Sequence, residues 1–253
     1  MNTDTAIILT AFGTSTEARS TYDFFEAQAR KRFPLHDVFW SYTSRTLRAK
    51  MALEDILWRS PEELLHDLPV LGYRRAVIQS LHIVPGKEFE KIVTAAVQAP
   101  LPTAVGNPLL SCNSDCAPVL ESVVADISDQ PSTITVLAGH GTSHHEACSL
   151  YSEFGRHLRK RYPKNVLLCM VEGEPSWNEI LKSIQKSPLR RIRFVPFMFV
   201  AGDHIIHDVL GDDDSWASHL EGYEIDAQCR GLGLNQGIIE IYLQHLQDAI
   251  KSL

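Results

Sequence analysis

No apolar run in this chain approaches the ~20 residues that a membrane-spanning helix needs. Basic residues are scarce: 24 Lys and Arg stand against 31 Asp and Glu, a formal net charge of −7. That balance argues against a general nucleic-acid binder, which needs a basic face. It leaves room for a local basic pocket that takes an acidic small molecule. Cysteines are few, odd in number and scattered: Cys112, Cys116, Cys148, Cys169 and Cys229. One close pair without a second makes neither a zinc knuckle nor a disulfide framework. The first residues lack the basic stretch and small-residue cleavage site of a secretory signal. These absences lead us to expect a cytoplasmic protein with reduced thiols and no nucleic-acid or membrane partner. Oligomeric state stays open, a homo-oligomer included.

The chain is 253 residues long and 44% hydrophobic, enough for one large core or two small ones. Short apolar runs alternate with amphipathic stretches. "TAIILTAF" (5–12), "DVFWSYT" (37–43) and "RRAVIQSLHIV" (74–84) read as strands. "EARSTYDFFEAQARKRF" (17–33), "SPEELLHDL" (60–68), "EFEKIVTAAVQ" (88–98) and "PVLESVVADI" (118–127) read as helices. Ser60, Pro61 and Glu63 write a helix start with a capping box. The polar stretch "SDQPST" (128–133) is the best linker, and after it the alternation restarts with "TITVLAG". Strand–helix alternation predicts parallel strands joined by crossover helices. The expected domains are therefore 1–130 and 131–253, with the closing helix free to pack back on the first domain.

The two halves resemble each other. With Gly13 set on Gly141, "GTS" falls on "GTS", and "VFWSYTS" falls on "VLLCMVE". Thr14 with Glu17, and Ser143 with Glu146, write a capping box after each "GTS". With Arg74 set on Arg190, "RRAVIQSLHIVPGKEFEKI" falls on "RRIRFVPFMFVAGDHIIHD" without a gap. Three strand ends in the same order point to a duplication. The plain alternative is that any two parallel α/β halves share this grammar.

Comparing the halves isolates what is special in the second. His140 stands where the first half has Phe12, Glu172 where it has Ser44, and His204 where it has Glu88. All three lie at the carboxyl end of an expected strand or just past it, the edge where open parallel sheets bind ligands. Two imidazoles and a carboxylate suit a divalent transition metal and leave coordination positions open. The bland readings are a turn histidine bonded to a carbonyl at His140, and Glu174 rather than Glu172 as the acid. Gly139 and Gly141 around His140 allow a close approach to the backbone. His144 and His145 open a helix and can equally be solvated. His207 lies one turn after His204 and could share its face. "GDDDSW" (211–216) reads as a polar turn. "GLGLNQG" (231–237) lacks the full dinucleotide fingerprint, and neither "GTS" belongs to a nucleotide phosphate loop.

Taken in order, "AFGTS", "QSLHIVPGKEFEKI", "GHGTSHH", "VEGEP", "FMFVAGDH" and "GDDDSW" resemble the anaerobic-type cobalt chelatases of cobalamin biosynthesis. These are class II, ATP-independent chelatases, and the resemblance spans about residues 5 to 240. It implies an α/β fold of two similar Rossmann-like domains, each a parallel sheet flanked by helices, with the active site in the cleft between them. It implies metal ligands at His140, Glu172 and His204, the trio already isolated by the half-to-half comparison. The implied reaction inserts Co2+ into sirohydrochlorin, with His140 also accepting protons from the ring. Phe12, Thr14, Arg45, Lys87 and Glu88 are then expected to meet the macrocycle, and His144, His145 and His207 are secondary candidates. No cofactor is expected beyond the substrate metal, although Fe2+ or Ni2+ would accept the same ligands. The competing readings are a sirohydrochlorin ferrochelatase, a metal or tetrapyrrole carrier, and a metal-dependent hydrolase that activates water.

Overall fold

The computed structural model describes residues 4–14 and 17–253, the side chain of Glu17 excepted. The capping box read from Thr14 and Glu17 lies outside the described residues. The chain divides into two compact units, one running up to Ser111 and resumed by Ile238–Leu253, the other Cys112–Gly237.

The first unit carries β1 (Thr5–Ala11), α1 (Ser20–Arg32), β2 (Val38–Tyr42), α2 (Arg45–Ala52), α3 (Pro61–Asp67), β3 (Arg75–Ser80), α4 (Lys87–Val97) and β4 (Thr103–Gly106). All its strand pairs are parallel and the strand order is β2-β1-β3-β4. The second unit carries α5 (Cys116–Val123), β5 (Thr133–Gly141), α6 (His145–Arg161), β6 (Val166–Glu172), α7 (Trp177–Lys186), β7 (Arg191–Phe197) and β8 (Glu224–Ala227). Its sheet is also all parallel, in the order β6-β5-β7-β8. The two orders are the same once each half is numbered from its own first strand. Each unit is a Rossmann-like layer of parallel sheet and helices.

Central strands are buried along their length, which is why they read as continuous apolar runs. Every residue of β1 is buried. Ala6 and Ile8 of β1 pack with Leu64, Leu65 and Leu68, with Ala76 and Ile78 of β3, and with Ile92. In the second unit Val136 and Ala138 of β5 pack with Ile180, Ile184, Phe194 and Trp216. The stacked pair Trp177 and Trp216, 5.2 Å between ring centroids, closes that core. The capping box at α3 is formed as read: Ser60 Oγ accepts from Glu63 N at 3.2 Å, and Glu63 accepts from Ser60 N at 2.7 Å.

The polar turn at 128–133 lies inside the second unit rather than between the units. The division falls after Ser111 because Cys116, Val119, Leu120 and Val123 of α5 are buried and the helix packs on α6. The last helix, α8 (Gln236–Lys251), belongs to the first unit from Ile238 onward. Its Tyr242 is fully buried, meets Phe25 edge-on at 6.0 Å, and donates its hydroxyl to the carbonyl of His82 at 3.0 Å. No described helix is long and apolar enough to cross a membrane.

Tyr242 therefore anchors α8. Tyr242→Ala is expected to cost about 3–5 kcal/mol through the cavity it leaves, and Tyr242→Phe about 1 kcal/mol through the lost hydrogen bond. Urea unfolding of both variants, followed by circular dichroism, checks the ordering.

Candidate metal centre

The sheet of the second unit brings the strand ends together. β5 lies between β6 and β7, with Gly141 in register with Glu172 and Gly139 with Phe197. The gap between β5 and β7 is where the strand order reverses, the position at which open parallel sheets bind ligands. His140 stands at the end of β5. His204 follows β7 and leads into a π-helical turn, Ile205–Val209.

The two rings meet edge to face, 4.5 Å between centroids at an interplanar angle of 88°. His140 Nδ1 lies 3.3 Å from the carbonyl of Gly141. His204 Nδ1 lies 2.6 Å from Oδ2 of Asp208. A carbonyl and a carboxylate only accept, so each Nδ1 carries the hydrogen. In the neutral rings both Nε2 atoms are then lone-pair donors. Burial, and next the neighbouring His204, pull His140 below the ordinary imidazole range, while Gly141, Glu172 and Asp208 pull it up.

Glu172 ends β6 as an exposed carboxylate beside this pair. Glu174, its rival, is occupied otherwise: its carboxylate accepts the N–H of Ser176 at 2.8 Å. Among the described residues, no group of three or more His, Cys, Asp and Glu side chains could hold a metal ion in the conformation described. The arrangement is two imidazoles in contact with each other, and an acid at the end of the strand next to β5, not a closed cage.

The glycines around His140 answer to the neighbouring strand. A Cβ on Gly141 would fall 1.8 Å from the carbonyl oxygen of Glu172, and its φ of +84° is one that other residues rarely adopt. The capping box read from Ser143 and Glu146 is not formed. The helix α6 begins at His145 with His144 as its cap residue and no side-chain cap bond. Thr142 Oγ1 takes the N–H of His144 instead, at 3.1 Å. His145 and His207 are exposed.

The corresponding edge of the first unit carries the other expected residues. Phe12 is 46% exposed just past β1, and Thr14 is buried. Arg45 opens α2 behind Ser44, whose Oγ accepts from Leu47 N at 3.3 Å. Lys87 and Glu88 open α4 behind Gly86. Burial opposes ionisation of Glu88, but Lys91, 2.6 Å away, helps hold its carboxyl below the usual range. The strand order β2-β1-β3 places these three loops side by side.

Sequence reasoning passed over His82, because it took "RRAVIQSLHIV" as one strand. β3 stops at Ser80, and His82 lies beyond it at the same sheet edge. Its Nδ1 is 2.9 Å from Ser80 Oγ, and its Nε2 is buried with no hydrogen-bond partner among the described residues. A hollow of about 720 Å3 lies at the opposite, amino end of β5, β7 and β8. Its guanidinium groups are committed to ion pairs, Arg191 with Glu224 and Arg193 with Asp226.

A family model described as cobalt chelatase (CbiK) matches residues 5–251. A sirohydrochlorin cobaltochelatase, CbiKC, of Nitratidesulfovibrio vulgaris is 30% identical over 263 aligned positions, covering 99% of this chain and 92% of that protein. The sirohydrochlorin cobaltochelatase of Salmonella typhimurium is 31% identical, covering 97% of this chain and 96% of that one. Among solved structures, SirB from Bacillus subtilis with Fe3+ superposes with a TM-score of 0.66 at 14% identity, over 100% of this chain and 97% of that one.

Two predictions follow from these contacts. Gly141→Ala forces β5 off β6 and is expected to destabilise the second unit by more than about 2 kcal/mol, read by urea unfolding. His82 is the second case. Burial holds its pKa down to about 4, so between about pH 4 and 6.5 the unfolded chain binds the extra proton. Stability is then expected to fall by up to ~3 kcal/mol as pH drops through that window. His82→Asn should flatten this slope in unfolding curves collected from pH 4 to 7.

Proposed function

The chain belongs to the cobalt chelatase (CbiK) family, and from that premise we propose that it inserts Co2+ into sirohydrochlorin without ATP. The observation that carries the reading is the edge-to-face contact of His140 and His204 at 4.5 Å, at the carboxyl edge of β5 and β7.

Co2+ enters as a substrate. In this reading it binds Nε2 of His140, Nε2 of His204 and the carboxylate of Glu172, a borderline set that leaves positions open. Closing the trio needs rotation of the exposed Glu172 side chain toward the rings. Loose ligation matters, because the ring nitrogens must take the metal away. Two pyrrole N–H protons leave as the metal enters, and the charge of the ring–metal complex is thereby kept. One proton passes to His140 Nε2 as the metal departs from it. An imidazole depressed by burial and by His204 is neutral at pH 7, free to bind metal first and to accept a proton next. The other proton goes to water.

In the first unit, Phe12 offers an apolar surface to the flat macrocycle. Arg45 and Lys87 are exposed cations suited to its carboxylates, and Thr14 and Glu88 contribute polar contacts. The ATP independence is what the resemblance to class II chelatases implies. All five cysteines are free thiols, which suits the reducing cytoplasm where we place the reaction. Cobalt is favoured over iron because both curated relatives above are named as cobaltochelatases.

His140→Ala and His204→Ala are each expected to lower insertion at least ~100-fold while leaving the circular dichroism spectrum intact. The absorbance change of sirohydrochlorin on adding Co2+ and protein reads the rate, and Fe2+ and Ni2+ run alongside report metal choice. Near-normal insertion by both variants would remove the mechanism. Binding without turnover by the wild-type protein would identify a carrier instead.

A further inference from the structure

We infer that Asp208 is a positioning residue: its carboxylate holds His204 in the one tautomer and orientation that aims Nε2 at the incoming cation. The inference rests on the reading of His204 as a cobalt ligand and extends it to a residue outside the trio.

Three observations carry it. The first is the contact itself, Nδ1 of His204 to Oδ2 of Asp208 at 2.6 Å, at the short end for a charge-assisted hydrogen bond. A ring free to flip would offer either nitrogen. With Nδ1–H committed to a carboxylate, the lone pair is fixed on Nε2 and the ring becomes a stronger donor.

The second is the backbone that makes the contact. Leu210 N bonds the carbonyl of Ile205, an i to i+5 bond. This widened turn is a form that recurs at functional sites. Ile205 and Val209 on the turn are buried in the core of the second unit, while His204 and Asp208 beside them remain partly exposed.

The third is that the turn is clamped from outside. The N–H of Trp216 donates to the Asp208 carbonyl at 2.9 Å. Trp216 is itself buried and stacked on Trp177. Ser215 Oγ donates to the Gly211 carbonyl at 2.6 Å, and a side chain on Gly211 would strike the carbonyl of His207 at 2.4 Å. The acidic stretch 211–216 thus acts as a brace. It fixes the backbone of Asp208 whatever its side chain does, so side-chain variants should keep the fold.

The two histidines are therefore held unequally. His140 is oriented by a backbone carbonyl at 3.3 Å, and His204 by a full negative charge at 2.6 Å. The carboxylate should act on the metal-binding step and not on recognition of the macrocycle.

The test uses the full-length protein and Co2+ alone, titrated by its visible absorption, beside steady-state insertion. Asp208→Ala is expected to weaken Co2+ binding by about 10–100-fold and to raise the KM for Co2+, with the KM for sirohydrochlorin unchanged. Asp208→Asn keeps an oxygen that accepts the Nδ1 hydrogen and should recover most of the loss. Added to His204→Ala, Asp208→Ala should cost nothing further, since it acts through that ring. Co2+ affinity in Asp208→Ala within twofold of wild type, while His204→Ala loses binding, overturns the role of Asp208 alone. A full additive loss in the double variant also overturns it. Unchanged Co2+ binding in His204→Ala overturns the ligand assignment itself and the positioning role with it.

Discussion

The pairing of β5 with both its neighbours is the constraint on which the site depends. One face of that pairing is unusually close: Gly141 packs against the carbonyl of Glu172 with no room for a side chain. The register that follows puts His140, Glu172 and the loop after β7 at one height along the sheet. Because parallel strands all finish at the same edge, the three candidate side chains come from two strand ends and the loop that follows a third.

Much of this could be read beforehand, and the reasons for the rest are physical. The central strands announce themselves because burial on both faces demands continuous apolar sequence, as in "TAIILTA" and "TITVLAG". The edge strands do not. β4 and β8 have four residues each and are largely exposed or half-buried, so nothing in their composition separates them from loops. The trio of His140, Glu172 and His204 emerged only by setting one half against the other, a comparison that cancels the residues the fold itself requires. Asp208 escaped because "GDDDSW" drew attention to the acids after it. Its i+4 spacing from His204 was the available signal, and the turn there is π-helical rather than α-helical. The division after Ser111 was invisible because α5 could pack on either unit by its amphipathicity; tertiary burial against α6 decides.

The two halves share one topology and differ in what their edges hold. The first carries an imidazole whose Nε2 has no partner among the described residues and whose charged form burial opposes. The second carries imidazoles whose Nδ1 atoms are each given an acceptor. The same residue type is sealed in one place and held by an acceptor in the other. The difference comes from what lies next to each ring and not from its position on the sheet.

The path of the chain has one further consequence. The second unit is a single uninterrupted stretch, whereas the first is split, with its closing helix supplied by residues that follow the whole of the second. During synthesis the later-encoded body can therefore finish first. The earlier one must wait with the site for Tyr242 uncovered, including the carbonyl of His82, which accepts from the N–H of Leu109 and from the Tyr242 hydroxyl. A chain that has emerged through Gly237 and no further can hold the whole second unit tethered to a first that still lacks its closing helix.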